Sequence, residues 1–245
     1  MRAAAVVVLA ILAAAFASMP VFARRRVRRD PDAQGKGRHF LLGAGDFVLH
    51  WFLWALGPLE RALLRARATP DHLNAAGLVA GLASGVLIGL GHLEAGGGMI
   101  ALAGVCDVLD GRLARARGVA SPYGVFIDST LDRFVETFAF LGFAAYYRHQ
   151  PLAALVVTAG LGGSLLVSYA QARGETVGVS GSGGLMQRAE RMVLTALGCL
   201  VDPSLTAALG WREGSLLLGV LGLVAAGSLG TAVHRTVWIA RQLRR

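Results

Sequence analysis

Four aspartates stand close together in a stretch of the chain that is otherwise strongly apolar. They are Asp107, Asp110, Asp128 and Asp132, within the run CDVLDGRLARARGVASPYGVFIDSTLDRF over residues 106–134. On insertion scales, a carboxylate near the centre of a bilayer costs about 2.5–3.5 kcal/mol unless a cation neutralises it. We therefore expect this cluster to hold metal ions or to carry out chemistry.

The spacing of the aspartates places two of them on one face of each of two helices. Asp107 and Asp110 are three residues apart, and Asp128 and Asp132 are four apart. Two facing helices would present all four carboxylates to one point. Ligand sets of oxygen alone suit Mg²⁺ or Mn²⁺, and two such ions together activate the attacking and leaving oxygens in phosphoryl transfer. The pattern predicts two ions of this kind rather than zinc, which prefers His and Cys.

A longer pattern surrounds the aspartates. It reads Asp107-x-x-Asp110-Gly111-x-x-Ala114-Arg115, followed by Gly124-x-x-x-Asp128-x-x-x-Asp132. This pattern resembles the complete signature of the CDP-alcohol phosphatidyltransferases, the integral membrane enzymes of phospholipid synthesis. The resemblance extends from about Thr69 to Arg191. It departs from many relatives at the start of this region, where Thr69-Pro70 is followed by Asp71 instead of Asn and where Asn74 replaces a Thr.

The resemblance implies a reaction and a set of roles. An alcohol would attack the lipid-linked phosphate of a CDP-lipid and release CMP. Asp107, Asp110 and Asp128 would be metal ligands, and Asp132 would be both a metal ligand and the catalytic general base. The nucleotide-binding positions would be Gly111, Ala114, Arg115 and Gly124. Physical chemistry agrees, because glycine lets a ligand approach the helix backbone and a guanidinium matches phosphate oxygens.

Three arginines are candidates for binding the acceptor alcohol. Arg173, Arg188 and Arg191 lie in the run SYAQARGETVGVSGSGGLMQRAERMVL over residues 168–194. This run resembles the phosphatidylinositol-phosphate synthase branch of the family, which condenses inositol phosphate with a CDP-lipid. A phosphatidylglycerophosphate synthase that uses glycerol 3-phosphate is the alternative, because the same cations would bind its phosphate. A third interpretation makes these arginines ordinary anchors on the cytoplasmic side of the membrane.

Composition indicates one helical membrane domain. The 245 residues are 55% hydrophobic, and the mean hydropathy is +0.57. The net charge of +9 is distributed as in a membrane protein, so we expect membrane lipids and no nucleic acid as partners. The isolated Cys106 and Cys199 form no disulfide or zinc pattern and are expected to pack as small apolar residues.

The apolar segments predict an all-α integral membrane protein with a six-helix transmembrane bundle. Residues 1–39 hold an apolar segment and a basic linker, residues 40–68 an interfacial helical segment with a break at Gly57-Pro58, and residues 69–245 the catalytic domain. The predicted spans are Leu73–Leu90, Met99–Arg115, Gly124–Tyr147, Leu152–Ala172, Met192–Val201 with a short extension, and Ser215–Ile239.

The basic residues predict the orientation of these spans. If Leu73–Leu90 runs outward, the external side holds only Arg148 and Arg212, with Arg2 at the far end of the first segment. The aspartates then lie on the cytoplasmic side of the cytoplasmic membrane. The apolar run over Ala3–Ala23 has three interpretations: an uncleaved extra transmembrane helix, which we favour, a signal peptide, or residues before the true start codon.

Two further features bear on partners and on function. Gly77, Gly81, Gly85 and Gly89 recur every four residues and predict a smooth helix face, which would pack within the chain or across a homodimer. Glu136 extends the Asp128–Asp132 stripe by one turn and is expected to act on the metal site or to pair near Arg133.

Buried carboxylates also mark ion transporters, but we find no inverted repeat of the pattern elsewhere in the chain.

Overall fold

The computed structural model describes residues 17–24, 45–179 and 183–244. Within these ranges the regular structure is helical and no strand occurs, which confirms the all-α prediction. The helices are α1 over residues 17–24, α2 Gly45–Arg65, α3 Pro70–Gly89, α4 Leu93–Ala116, α5 Pro122–Tyr146, α6 Pro151–Thr176, α7 Arg188–Leu209 and α8 Ser215–Leu243. The predictions for the apolar run before residue 17, for the basic linker up to residue 39 and for the first residues of the interfacial segment, over 40–44, lie outside the described residues.

The chain divides into two compact units. One comprises Met1–Leu73 and Val108–Ala120, and the other comprises Asn74–Asp107 and Ser121–Arg245. The sequence boundary falls within α4, so this helix contributes residues to both units.

In the first unit, α2 is continuous through Pro58, so the predicted break at Gly57-Pro58 is wrong. A proline inside a helix removes one backbone hydrogen bond, but contacts on both sides of Pro58 stabilise the helix. On one side, Trp51 Nε1 donates to Ser18 Oγ at 2.8 Å, and Phe22 lies against Trp54 with 5.6 Å between ring centroids. On the other side, Arg112 Nε donates to Glu60 Oε2 at 2.7 Å.

In the second unit, local signals fix the start of α5. Ser121 has an extended backbone and accepts a hydrogen bond from the Gly124 N–H at 3.3 Å, while Pro122 occupies the first helical turn. The core of this unit is apolar, and helices α3 to α8 all contribute residues to it. It is built from Ile88, Leu93, Ile100, Ala139, Phe140, Phe143, Tyr147, Ala153, Val157, Ala196, Cys199, Leu217, Leu221 and Val224.

The glycine stripe of α3 packs within the chain: Gly81, Gly85 and Gly89 lie against α5, and Gly77 lies against α4. A Cβ atom on Gly85 would overlap the Phe138 carbonyl, and one on Gly142 would overlap the backbone of Gly85. Only glycine allows two helix backbones to approach this closely. The contact therefore holds α5, the helix of Asp128 and Asp132, in a fixed position relative to α3.

Among the residues that the structure describes, four helices are long and apolar enough to cross a membrane. They are α3, α6, α7 and α8, which supports an integral membrane protein. The other two helices of the predicted bundle, α4 and α5, have 24 and 25 residues. Both carry the charged residues of the aspartate pattern, which lowers their hydropathy.

A buried carboxylate on α7 caps the start of α8. Asp202, on α7, accepts hydrogen bonds from the Gly214 N–H at 2.6 Å and the Leu217 N–H at 2.9 Å. The Tyr147 hydroxyl donates to the Gly214 carbonyl at 2.6 Å. Asp202 is fully buried, and it satisfies N–H groups at the start of α8 that have no partner inside the helix.

Candidate active site

Helices α4 and α5 carry the predicted aspartates, as their spacing required. A carboxylate oxygen of Asp107 lies within 4.8 Å of one on Asp110, one turn later on α4, and within 4.8 Å of one on Asp128 of α5. Carboxylates at such separations repel one another unless a cation lies among them. This donor set of hard oxygens fits Mg²⁺ or Mn²⁺ by its chemistry.

Arg188 links Asp132 to the same group. This residue begins α7, and its guanidinium bridges two carboxylates on two different helices. Nη1 lies 2.9 Å from Asp107 Oδ1, and Nη2 lies 2.5 Å from Asp132 Oδ1. The side chain of Arg188 is 22% exposed, so it is partly open to solvent, although its Nε is buried.

A second arginine, Arg133, lies on the other side of Asp132. Arg133 Nη1 is 3.6 Å from Asp132 Oδ2 and donates a hydrogen bond to the Ser129 carbonyl at 2.5 Å. Its side chain is 36% exposed, so solvent screens this contact more than the Arg188 contacts. Asp132 is therefore contacted by two arginines, and its contact with Arg188 is shorter and less exposed to solvent than its contact with Arg133.

Deeper in the second unit, Glu136 and Arg191 form a buried ion pair. Arg191 Nε lies 2.7 Å from Glu136 Oε1, and Arg191 Nη2 lies 3.2 Å from Oε2, a two-pronged geometry. Arg191 Nη1 donates to the Met186 carbonyl at 3.2 Å. Glu136 thus pairs with Arg191 on α7 and not near Arg133, because helix packing brings α7 against this face of α5.

The predicted nucleotide-binding residues lie near the ends of their helices. Gly111, Ala114 and Arg115 occupy the last turns of α4, and Arg115 is exposed. A Cβ atom on Gly111 would meet only the flexible end of the Arg115 side chain at 3.3 Å, so one side of the helix backbone is open there. Gly124 lies in the first turn of α5, where its N–H is used in the Ser121 cap.

The three predicted acceptor-binding arginines have different surroundings. Arg188 contacts the acidic cluster, Arg191 is buried against Glu136, and Arg173 is exposed in the last turn of α6. Their direct contact with an acceptor stays a prediction.

A fourth arginine, Arg235, was not among the residues predicted from the sequence. This side chain is buried, and its Nη1 donates to the Val167 carbonyl at 3.0 Å and to Gln171 Oε1 at 2.9 Å. A cation inside the otherwise apolar α8 was the signal in the sequence that could have revealed it.

Comparison with known proteins identifies a family. A sequence model of the CDP-alcohol phosphatidyltransferases matches residues 67–232. The phosphatidylinositol phosphate synthase of Mycobacterium tuberculosis strain H37Rv is 34% identical over 188 residues, which cover 74% of this chain and 84% of that protein. The enzyme of the same name from Streptomyces avermitilis is 34% identical over 202 residues, with 78% and 80% covered.

Solved structures agree with the sequence comparison. The crystal structure of the Mycobacterium tuberculosis phosphatidylinositol phosphate synthase with CDP-DAG bound superposes with a TM-score of 0.65 at 30% identity, covering 74% of this chain and 92% of that one. The structure of the same enzyme with manganese and citrate also gives 0.65 at 30% identity, covering 74% and 88%.

The buried ion pair predicts a stability effect that also tests the role of Arg191. Glu136→Gln leaves the buried guanidinium without a counter-ion, a change that typically costs 3–5 kcal/mol. We expect the thermal midpoint of the detergent-solubilised protein to fall by roughly 6–20 °C. Glu175→Gln, the same exchange at an exposed position of α6, is the control and should change the midpoint little. An unchanged midpoint in Glu136→Gln would mean that Arg191 does not depend on this pair.

Proposed function

Because the chain belongs to the CDP-alcohol phosphatidyltransferase family, we propose that it transfers a phosphatidyl group from a CDP-lipid to the hydroxyl of inositol phosphate and releases CMP. The family predicted from the aspartate pattern is confirmed, and the chain is an enzyme of phospholipid synthesis. Two observations support the particular reaction. The similar enzymes are phosphatidylinositol phosphate synthases, one of them crystallised with CDP-DAG, and Arg188 lies beside Asp132 in this chain.

Asp107, Asp110, Asp128 and Asp132 would hold the divalent cations. The chemistry of the donors fits Mg²⁺ or Mn²⁺, and the relative crystallised with manganese supports the assignment. Two bound cations would neutralise the carboxylates and the donor pyrophosphate and polarise the phosphate under attack. The helices would hold the metal ligands in place, because Asp107 and Asp110 both lie on α4 while Asp128 and Asp132 both lie on α5.

Asp132 would take the proton from the acceptor hydroxyl. Its carboxylate is held by Arg188 and approached by Arg133, which fix its position on α5. On the donor side, the open backbone at Gly111, together with Ala114 and Gly124, would admit the nucleotide, and Arg115 would bind the pyrophosphate.

The position of Arg188 favours an acceptor that carries its own phosphate. A hydroxyl within reach of Asp132 would bring the rest of the acceptor close to this guanidinium, whose planar fork matches phosphate oxygens. Arg173 would contribute from the end of α6. Arg191 would support the site through Glu136, and its direct contact with the acceptor stays a prediction.

The membrane arrangement is part of the proposal. Helices α3 to α8 would cross the cytoplasmic membrane as a six-helix bundle, with the aspartates on the cytoplasmic side and α2 at the interface. The catalytic domain would span residues 69–245, after the interfacial segment over 40–68 and the N-terminal segment over 1–39. A homodimer would use a face other than the glycine stripe of α3, because this stripe packs within the chain on α4 and α5.

The base role of Asp132 predicts a selective loss of turnover. Asp132→Asn keeps the size of the side chain but removes the proton acceptor, so kcat should fall by about 10²–10⁴ while CDP-lipid binding is largely retained. Asp110→Asn should weaken metal-dependent donor binding as well. Kinetics in mixed micelles together with donor binding by calorimetry separate the two effects. Equal losses of donor binding in both variants would reduce Asp132 to a metal ligand.

The acceptor assignment predicts which alcohol is consumed. Purified protein with CDP-diacylglycerol and Mg²⁺ should release CMP with inositol phosphate and not with free inositol, since an uncharged alcohol leaves the arginines unpaired. Release should stop in EDTA. Arg173→Gln should raise the acceptor KM by roughly 10–150-fold, as expected for loss of a charge-assisted contact. Preferential use of glycerol 3-phosphate would instead assign the alternative acceptor, and efficient use of an uncharged alcohol would remove the arginines from acceptor binding.

A further inference from the structure

Arg188 forms ion pairs with carboxylate groups that the proposed metal site also needs. Its guanidinium contacts Asp107 on α4 and Asp132 on α5 with one nitrogen each. A divalent cation bound by the same carboxylates would compete for these oxygens and would repel the guanidinium. When a metal ion binds Asp107 and Asp132, we therefore expect the Arg188 guanidinium to lose its contacts with these two carboxylates.

The contacts of Arg188 also leave part of its binding capacity unused. In the described part of the chain, its Nε is buried and has no hydrogen-bond partner, while Nη1 and Nη2 each reach a different carboxylate. A guanidinium binds a single phosphate best through two parallel N–H groups, such as those on Nε and Nη2. A phosphate bound by Arg188 could therefore accept a hydrogen bond from Nε, which has no partner in the present position of the side chain.

The location of Arg188 allows such an exchange. It is the first residue of α7, and its side chain is partly exposed. Arg191, three residues later on α7, is held independently by Glu136 and the Met186 carbonyl. The side chain of Arg188 can thus move while the helix that carries it stays in place.

We infer that Arg188 is an exchangeable counter-ion that couples metal binding to acceptor binding. It neutralises Asp107 and Asp132 until the divalent cation binds, and the cation then displaces its guanidinium toward the phosphate of the acceptor. This inference rests on the proposed function for the identity of the acceptor, but the competition with the metal does not. Because coupling is reciprocal, the acceptor must raise the affinity for the metal by the same factor as the metal raises the affinity for the acceptor.

The competition is tested by binding of Mn²⁺ alone, without donor, acceptor or turnover. Electron paramagnetic resonance of free Mn²⁺ gives the Kd for detergent-solubilised protein. Arg188→Gln should bind Mn²⁺ tighter than the wild type by about tenfold or more, because the competing cation is gone. Arg133→Gln is the matched control: it removes the same charge 3.6 Å from Asp132, at a more exposed position, and should change the Kd by no more than about fivefold. Unchanged or weaker Mn²⁺ binding in Arg188→Gln would overturn the inference.

A second variant, Arg188→Lys, tests the same inference if Arg188→Gln does not fold. Arg188→Lys keeps the charge but cannot bridge two carboxylates with a planar fork, so its Mn²⁺ affinity should lie between those of the wild type and Arg188→Gln. If Arg188→Gln is unfolded in a thermal scan, a lysine variant with wild-type or weaker affinity overturns the inference instead.

The coupling itself is measured by repeating the Mn²⁺ titration with inositol phosphate present. The acceptor should tighten Mn²⁺ binding in the wild type, and this gain should disappear in Arg188→Gln. An equal gain in both proteins would contradict the exchange. The proposed function fails in a different assay, in which a wild type that releases no CMP with inositol phosphate would refute the acceptor whatever the Mn²⁺ affinities are.

Discussion

Negative charge concentrated on two helices of a membrane protein needs cations nearby, and this requirement organises the site. Asp107 and Asp132 share the guanidinium of Arg188, and Glu136 is paired with Arg191. Without such partners, each carboxylate would cost several kcal/mol in an apolar environment. The first turn of α7 supplies both arginines, so the position of this helix determines whether the acids on α4 and α5 are balanced. Divalent cations and the phosphates of the substrates would extend the same balance during the reaction.

Charge balance requires helices that hold their positions, and small residues and caps provide them. The backbone contact between Gly85 and Gly142 fixes α5 against α3, and the Ser121 cap fixes where α5 begins. At the start of α8, the carboxylate of Asp202 satisfies two backbone N–H groups. These contacts are not part of the proposed chemistry. They allow carboxylates on different helices to lie within a few ångströms of a common partner.

The sequence predicted the features that depend on local spacing. The helical pairs Asp107 with Asp110 and Asp128 with Asp132 follow from the period of a helix, and the family follows from the residue types between them. Features that depend on tertiary packing were not predicted. The break at Pro58 was wrong because local propensity does not include the contacts of Trp51 and Glu60 that stabilise α2. The contacts Arg188–Asp107, Arg188–Asp132 and Arg191–Glu136 each join residues more than 50 positions apart, and no periodicity indicates them.

Crystals grown with Mn²⁺ would test the central claim, that exchangeable cations balance the carboxylates of α4 and α5. An anomalous difference map identifies manganese by its own scattering. The account predicts a manganese peak among Asp107, Asp110 and Asp128, with the Arg188 guanidinium beyond ion-pair distance from Asp107 and Asp132. Manganese bound away from these aspartates, or bound among them with Arg188 still bridging the two carboxylates, would contradict it.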